Sequence, residues 1–112
     1  MSTRVKSLEV SCLAVEQTYK LESIIFEQFA RLKKVCNYIQ ECKINVANIA
    51  NRQETSIDFA YLISINLTMP EGLELYTLRT PQINSNDSIE KAIADVFAMI
   101  YRKLIEVKLG RC

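Results

Sequence analysis

The sequence predicts an α+β fold: a two-layer β-α-β-β-β-α arrangement in which a four-stranded sheet carries two helices packed on one face. Three observations predict it. Residues 7 to 46 switch from strand period to helix period and back again. Residues 57 to 67 hold the cleanest alternation in the chain, and residues 89 to 107 return to helix period.

The first strand is expected from about Val5 to Leu13, where Leu8, Val10 and Cys12 alternate with Glu9 and Ser11. Thr18 then offers an N-cap, because its hydroxyl can accept from a first-turn amide that has no helical partner. From there to about Cys36, residues Leu21, Ile24, Ile25, Gln28, Phe29, Leu32, Val35 and Cys36 fall within one arc, about 140° wide at 100° per residue. Lys20, Arg31 and Lys34 gather on one flank of that arc with Glu27 among them, while Phe26 and Ala30 lie away from it. The second strand, about Glu41 to Ala47, alternates through Cys42, Ile44 and Val46, and the polar stretch Asn48 to Glu54 reads as a loop.

The third strand presents Ile57, Phe59, Tyr61, Ile63, Ile65 and Leu67 on one face. Met69-Pro70-Glu71-Gly72 is a hairpin turn, since Pro pre-sets its φ and Gly tolerates a positive one. A fourth strand follows with Leu73, Leu75 and Thr77 on one side, then a loop from Thr80 to Ser88. Asp87 or Ser88 caps the last helix, and Asp87 with Glu90 has capping-box spacing. Its stripe of Ile89, Ala92, Ile93, Val96, Phe97, Ile100 and Leu104 persists to about Val107, with Gly110 just beyond as a stop.

The sheet face turned away from the helices is expected to carry Glu9, Ser11, Asp58, Ser64, Asn66 and Glu74, and so to meet water. Leu62, Tyr76 and Leu78 fall on the same face, which makes a homodimer through the exposed sheet face possible.

Composition bounds the function. A chain of 112 residues suggests one domain, spanning 1–112, and 49% apolar with 24% charged residues is ordinary for a soluble globular protein. No run of about 18 apolar residues suggests a membrane helix, and the start MSTRVKSLEV lacks a signal-peptide pattern, so a cytoplasmic location and no membrane partner are expected. Cys12, Cys36 and Cys42 sit at or near apolar-phase positions and read as buried free thiols, although a Cys12–Cys42 disulfide is geometrically possible if their strands are neighbours. Cys112 is terminal. No cofactor or metal is expected: no Cys pair has C-x-x-C spacing and the chain has no histidine. An enzyme is not expected either, since no imidazole can serve as base or activate a thiol, and Gly72 and Gly110 alone cannot make a phosphate loop.

The net charge is +1, from 14 Lys plus Arg against 13 Asp plus Glu, but the charges are unevenly placed. Residues 31 to 43 hold Arg31, Lys33, Lys34 and Lys43 against Glu41, and residues 102 to 112 hold Arg102, Lys103, Lys108 and Arg111 against Glu106. Such clusters can replace counterions around phosphate. Their position near helix C-termini also favours the helix dipole.

This element order, with specific residues, resembles the hibernation-promoting factor and ribosome-associated inhibitor A family of bacterial ribosome-binding proteins. Leu8, Val10, Val15, Thr18, Leu21, Phe29, Ala30, Arg31, Leu32, Ile39 and Ile44 fall, without gaps, where the family places the same or similar types. Met69-Pro70-Glu71-Gly72-Leu73 looks like its Pro-x-Gly turn, and Ser88 through Leu104 follow its final helix. The resemblance implies a fold like a double-stranded RNA-binding domain and a factor that binds the small ribosomal subunit and its rRNA near the decoding centre. It implies silenced translation in resting, stressed cells, in some cases through ribosome dimers. The chain looks like a short member.

Arg31, Lys34, Arg102 and Lys108 fall where members commonly carry a basic residue, so the resemblance implies rRNA-phosphate contacts for these four. Lys20 and Lys91 are further rRNA-binding candidates on solvent-facing positions. Glu22 and Gln28 stand where members can be basic, and Glu90 and Glu106 also depart from the family pattern. The alternative is a protein-interaction module of the same fold that has lost ordinary ribosome binding.

Overall fold

The computed structural model describes residues 2–5, 7–16, 18–50, 59–81 and 88–110, with the backbone alone for 2–5 and 108–110. In chain order the elements are β1 (Ser2–Val5), β2 (Leu8–Leu13), α1 (Tyr19–Val35), β3 (Glu41–Asn48), β4 (Tyr61–Thr68), β5 (Glu74–Arg79) and α2 (Ile89–Gly110). The four expected strands and two helices are present in the expected order, and β1 is added to them. The sheet runs β1-β2-β3-β4-β5, with β2 and β3 parallel across the α1 crossover and every other pair antiparallel.

Val5 belongs to β1, where it pairs with Leu8, so the strand expected to start at Val5 starts at Leu8 instead. Ser2, Thr3 and Arg4 offer no apolar alternation to read. An edge strand can form on backbone pairing alone.

Register explains the core. Three cross-strand rows face the helices: Leu8–Cys42–Leu67–Leu75, Val10–Ile44–Ile65–Thr77 and Cys12–Val46–Ile63–Arg79. All twelve side chains in these rows are buried. Leu21, Ile25 and Leu32 of α1 cover them together with Ala92, Ile93, Val96, Phe97, Ile100 and Leu104 of α2. Phe26 also packs against this core, half-buried, so the buried arc of α1 is wider than its stripe suggests.

Cys12, Cys36 and Cys42 are buried, and none of them is in a disulfide. Cys12 and Cys42 do lie on neighbouring strands, but Cys12 sits opposite Val46 and Cys42 opposite Leu8. Four residues of strand rise separate their rows, roughly 13 Å, which is beyond the Cα reach of a disulfide, about 7 Å. Burial pushes the Cys42 thiol up to about 12 and raises Cys12 as well.

Thr18 caps α1 as expected, its Oγ1 accepting from the Leu21 amide at 3.2 Å. Ser88 fills the same role for α2, accepting from the Lys91 amide at 3.5 Å, while Asp87 lies outside the described residues. The last helix does not stop before Gly110 but runs through it; a terminal glycine costs a helix only about 1 kcal/mol. Ile57 and Asp58 also lie outside the described residues, and β4 begins at Tyr61, with the Phe59 ring stacked on Tyr61 at 6.1 Å. In the β4–β5 turn the Met69 amide donates to the Leu73 carbonyl at 2.7 Å. Glu71 (φ 66°) and Gly72 (φ 77°) are both left-handed, so the turn asks of Glu71 what only Gly72 was expected to supply.

Candidate nucleic-acid interface

The two helices lie side by side and run in the same direction. Lys20 in the first turn of α1 reaches Glu90 in the first turn of α2, Nζ to Oε1 2.7 Å. Farther along, Gln28, Arg31, Leu32 and Val35 share a cleft of about 280 Å³ with Ala94, Phe97, Ala98 and Tyr101. This places the solvent side of the helical layer as one continuous surface, on which the sequence-predicted cations fall.

Each cation has a local reason for its place. Lys20, Arg31 and Lys34 are exposed along one flank of the buried stripe of α1. Lys91 and Arg102 are exposed on α2, on the flank away from α1, in helical step with Asp95 and Glu106. Lys108 lies in the last turns of α2, with its side chain outside the description. The structure therefore brings these residues onto one layer, but in two groups separated by the small side chains of Ala94 and Ala98.

Carboxylates thread through both groups. Arg31 Nη2 lies 2.9 Å from Glu27 Oε1, an exposed pair one turn apart. Lys20 is held above the ordinary lysine range, chiefly by its hydrogen bond to Glu90. Exposed pairs of this kind are weak and exchangeable, so they leave the cations able to trade partners for phosphate. Lys33 stands over the Phe29 ring, 5.9 Å from its centroid.

Sequence reasoning missed Arg79. Its guanidinium is buried at the end of the third inner row, where Nη1 donates to the Tyr61 carbonyl at 2.9 Å and Nη2 lies 3.7 Å from Asp95 Oδ2. The signal was present, because Arg79 continues the phase of Leu75 and Thr77. A second cleft, about 310 Å³, is lined by Arg79, Thr80, Asp95, Ala98, Met99 and Arg102.

The opposite sheet face is different in character. Its rows are Glu41–Thr68–Glu74, Glu9–Lys43–Asn66–Tyr76, Ser11–Asn45–Ser64–Leu78 and Leu13–Ala47–Leu62. Leu13 is 71% exposed, and Tyr76 and Leu78 are exposed too. Asn66 Oδ1 is buried there without a hydrogen-bond partner. Among the described residues no three His, Cys, Asp or Glu side chains gather to hold a metal ion, and no helix is long and apolar enough to cross a membrane.

No protein-family model matches the chain, and no curated protein matches it. Solved structures do. A ribosomal subunit interface protein from Coxiella burnetii superposes with a TM-score of 0.70 at 13% identity, covering 91% of this chain and 97% of that one. The N-terminal domain of Thermus thermophilus protein Y gives a TM-score of 0.50 at 14% identity, covering 83% and 92%. The chain therefore shares its β-α-β-β-β-α fold, over nearly its whole described length, with a ribosomal subunit interface protein.

Proposed function

We propose that this chain is a ribosome-associated translation inhibitor or hibernation factor. It acts in the bacterial cytoplasm as a single ribosome-binding-type domain, with no catalytic step. The helical layer docks on rRNA of the small ribosomal subunit near the decoding centre, where Arg31, Lys34, Arg102 and Lys108 replace phosphate counterions, with Lys20 and Lys91 in support. Occupying the path of mRNA and tRNA would silence translation under stress.

The observation that carries this reading is the likeness to the Coxiella burnetii ribosomal subunit interface protein, TM-score 0.70 across 91% of the chain. The exposed cations of α1 and α2 support it. The near-neutral net charge of +1 makes binding strongly dependent on the few cations that do reach phosphate.

Co-sedimentation with small subunits across a salt series tests it. Binding should fall as salt rises, and Arg31→Glu with Arg102→Glu should abolish it at a salt concentration where wild type still sediments. No association of wild type at low salt would sink the ribosomal reading. That result would favour a protein-interaction module of the same fold, to which the exposed Leu13, Tyr76 and Leu78 on the sheet face lend support, including as a homodimer surface.

A further inference from the structure

The cleft between β5 and α2 combines features that no other described cleft shares. Two guanidiniums line it, from Arg79 and Arg102, with the Thr80 hydroxyl beside them. The Arg79 side chain is only 8% exposed, so it is fixed in place before any ligand arrives. Its Nη1 is anchored on the Tyr61 carbonyl at 2.9 Å, which orients the planar fork. Arg102 is on the exposed rim. The remaining charge in the cleft is Asp95, whose Oδ2 stands 3.7 Å from Arg79 Nη2 on a side chain that is 45% exposed. A tight carboxylate–guanidinium contact is about 2.7–2.9 Å. Asp95 is therefore a loose counter-ion on a stem that can swing into water.

We infer that this cleft is a phosphate-binding site in which one backbone phosphate of an RNA strand bridges Arg79 and Arg102, accepts from Thr80, and displaces the Asp95 carboxylate from beside Arg79. The source of the phosphate rests on the ribosomal reading above; the anion chemistry of the cleft does not. Two guanidiniums suit a phosphate because each can present paired N–H donors to its oxygens. Asp95 acts as a built-in competitor that keeps the site closed to weak anions. Lys91 and Glu106 are in helical step with Asp95 and Arg102 on the same flank of α2, and Lys103, one turn beyond Met99, is held on the Tyr76 carbonyl of β5.

The role of Asp95 makes the test sharp, because removing its charge should strengthen binding. Backbone amide shifts of the full chain would be followed during titration with inorganic phosphate, against sodium chloride at matched ionic strength. Saturable shifts at Thr80, Asp95 and Arg102 are expected with phosphate alone. Asp95→Asn should tighten the apparent Kd about two- to five-fold, and Arg102→Gln should weaken it by a similar factor, on the scale of one exposed charge pair. With small subunits, Asp95→Asn should stay bound to higher salt than wild type, and Arg102→Gln should lower the salt slope by about one.

Equal shifts with chloride, shifts spread evenly over Lys20, Arg31 and Lys34, or an unchanged Kd in Asp95→Asn would overturn the site. If phosphate behaves as expected but no variant sediments with subunits, the cleft stands and RNA is removed as its source.

Discussion

Lys20 and Glu90 close the top of the helical layer: Nζ and Oε1 lie 2.7 Å apart, joining the first turns of two helices that are far apart in the chain. The fold raises the pKa of Lys20, chiefly through the hydrogen bond that Glu90 accepts. A group whose folded pKa lies above its unfolded value stabilises the fold at pH below the unfolded value, here 10.5, and loses that contribution as pH rises through the folded one. Wild type should therefore melt slightly above Glu90→Gln at pH 7 to 9, and the two should converge well above pH 10.5. Thermal melts across alkaline buffers check this; a difference that grows with pH would contradict it.

Cys42 should titrate against the fold as well. Its thiol is pushed up to about 12 by burial, from 9.0. Between those values the unfolded chain gains by ionising and the folded chain does not, so stability should fall as pH climbs from about 9 toward 12. Cys42→Ala should flatten that part of the profile. At pH 8 a thiol reagent should leave Cys42 unmodified in the native protein and modify it on unfolding.

The β4–β5 turn should be improvable. Glu71 holds a φ of 66°, in a region that costs an L-residue roughly 1–2 kcal/mol. Glu71→Gly should raise unfolding stability by about 0.5–1 kcal/mol, net of the extra freedom of glycine in the unfolded chain. Gly72→Ala should lower stability by about 1 kcal/mol through backbone strain alone, because a Cβ there would meet nothing within 4 Å. Urea titration of both variants decides it.

Arg79 and Asp95 should behave unequally, although they face each other. Arg79→Met strips the Tyr61 carbonyl of its buried donor and should cost about 1–3 kcal/mol. Asp95→Asn alters a half-exposed, 3.7 Å contact and should cost less than about 1 kcal/mol. Comparable losses in the two variants, measured by denaturant unfolding, would mean that the ion pair and not the carbonyl bond anchors Arg79.

Much of this was legible in the chain. Thr18 announced its helix because a cap is a local event, one hydroxyl and one amide three residues on. The burial of Ile63, Ile65 and Leu67 followed from period alone. β1 was not legible, since an edge strand with almost no apolar residue leaves no pattern. Nor was the left-handed Glu71, which no propensity favours. At the candidate interface, helical period gave the outward flank of Arg31 and Lys34 and the solvent-facing position of Lys91, whereas Arg102 came from the family resemblance alone. It could not show that Lys20 is matched to Glu90, because that contact depends on how two helices lie against one sheet. Arg79 was within reach of the strand phase, since it continues the inward positions of Leu75 and Thr77.

One quieter contact bears on how the molecule keeps company. β5 is a terminal strand of the sheet, and the ammonium of Lys103, from α2, donates to the Tyr76 carbonyl on it. A bare strand edge is an open template on which any extended peptide can lengthen the sheet. Here the protein's own lysine already occupies one rung of that template and adds a positive charge that a like-charged copy would meet. An added strand at β5 would first have to displace Lys103 from that rung, so lengthening the sheet at this edge carries a cost.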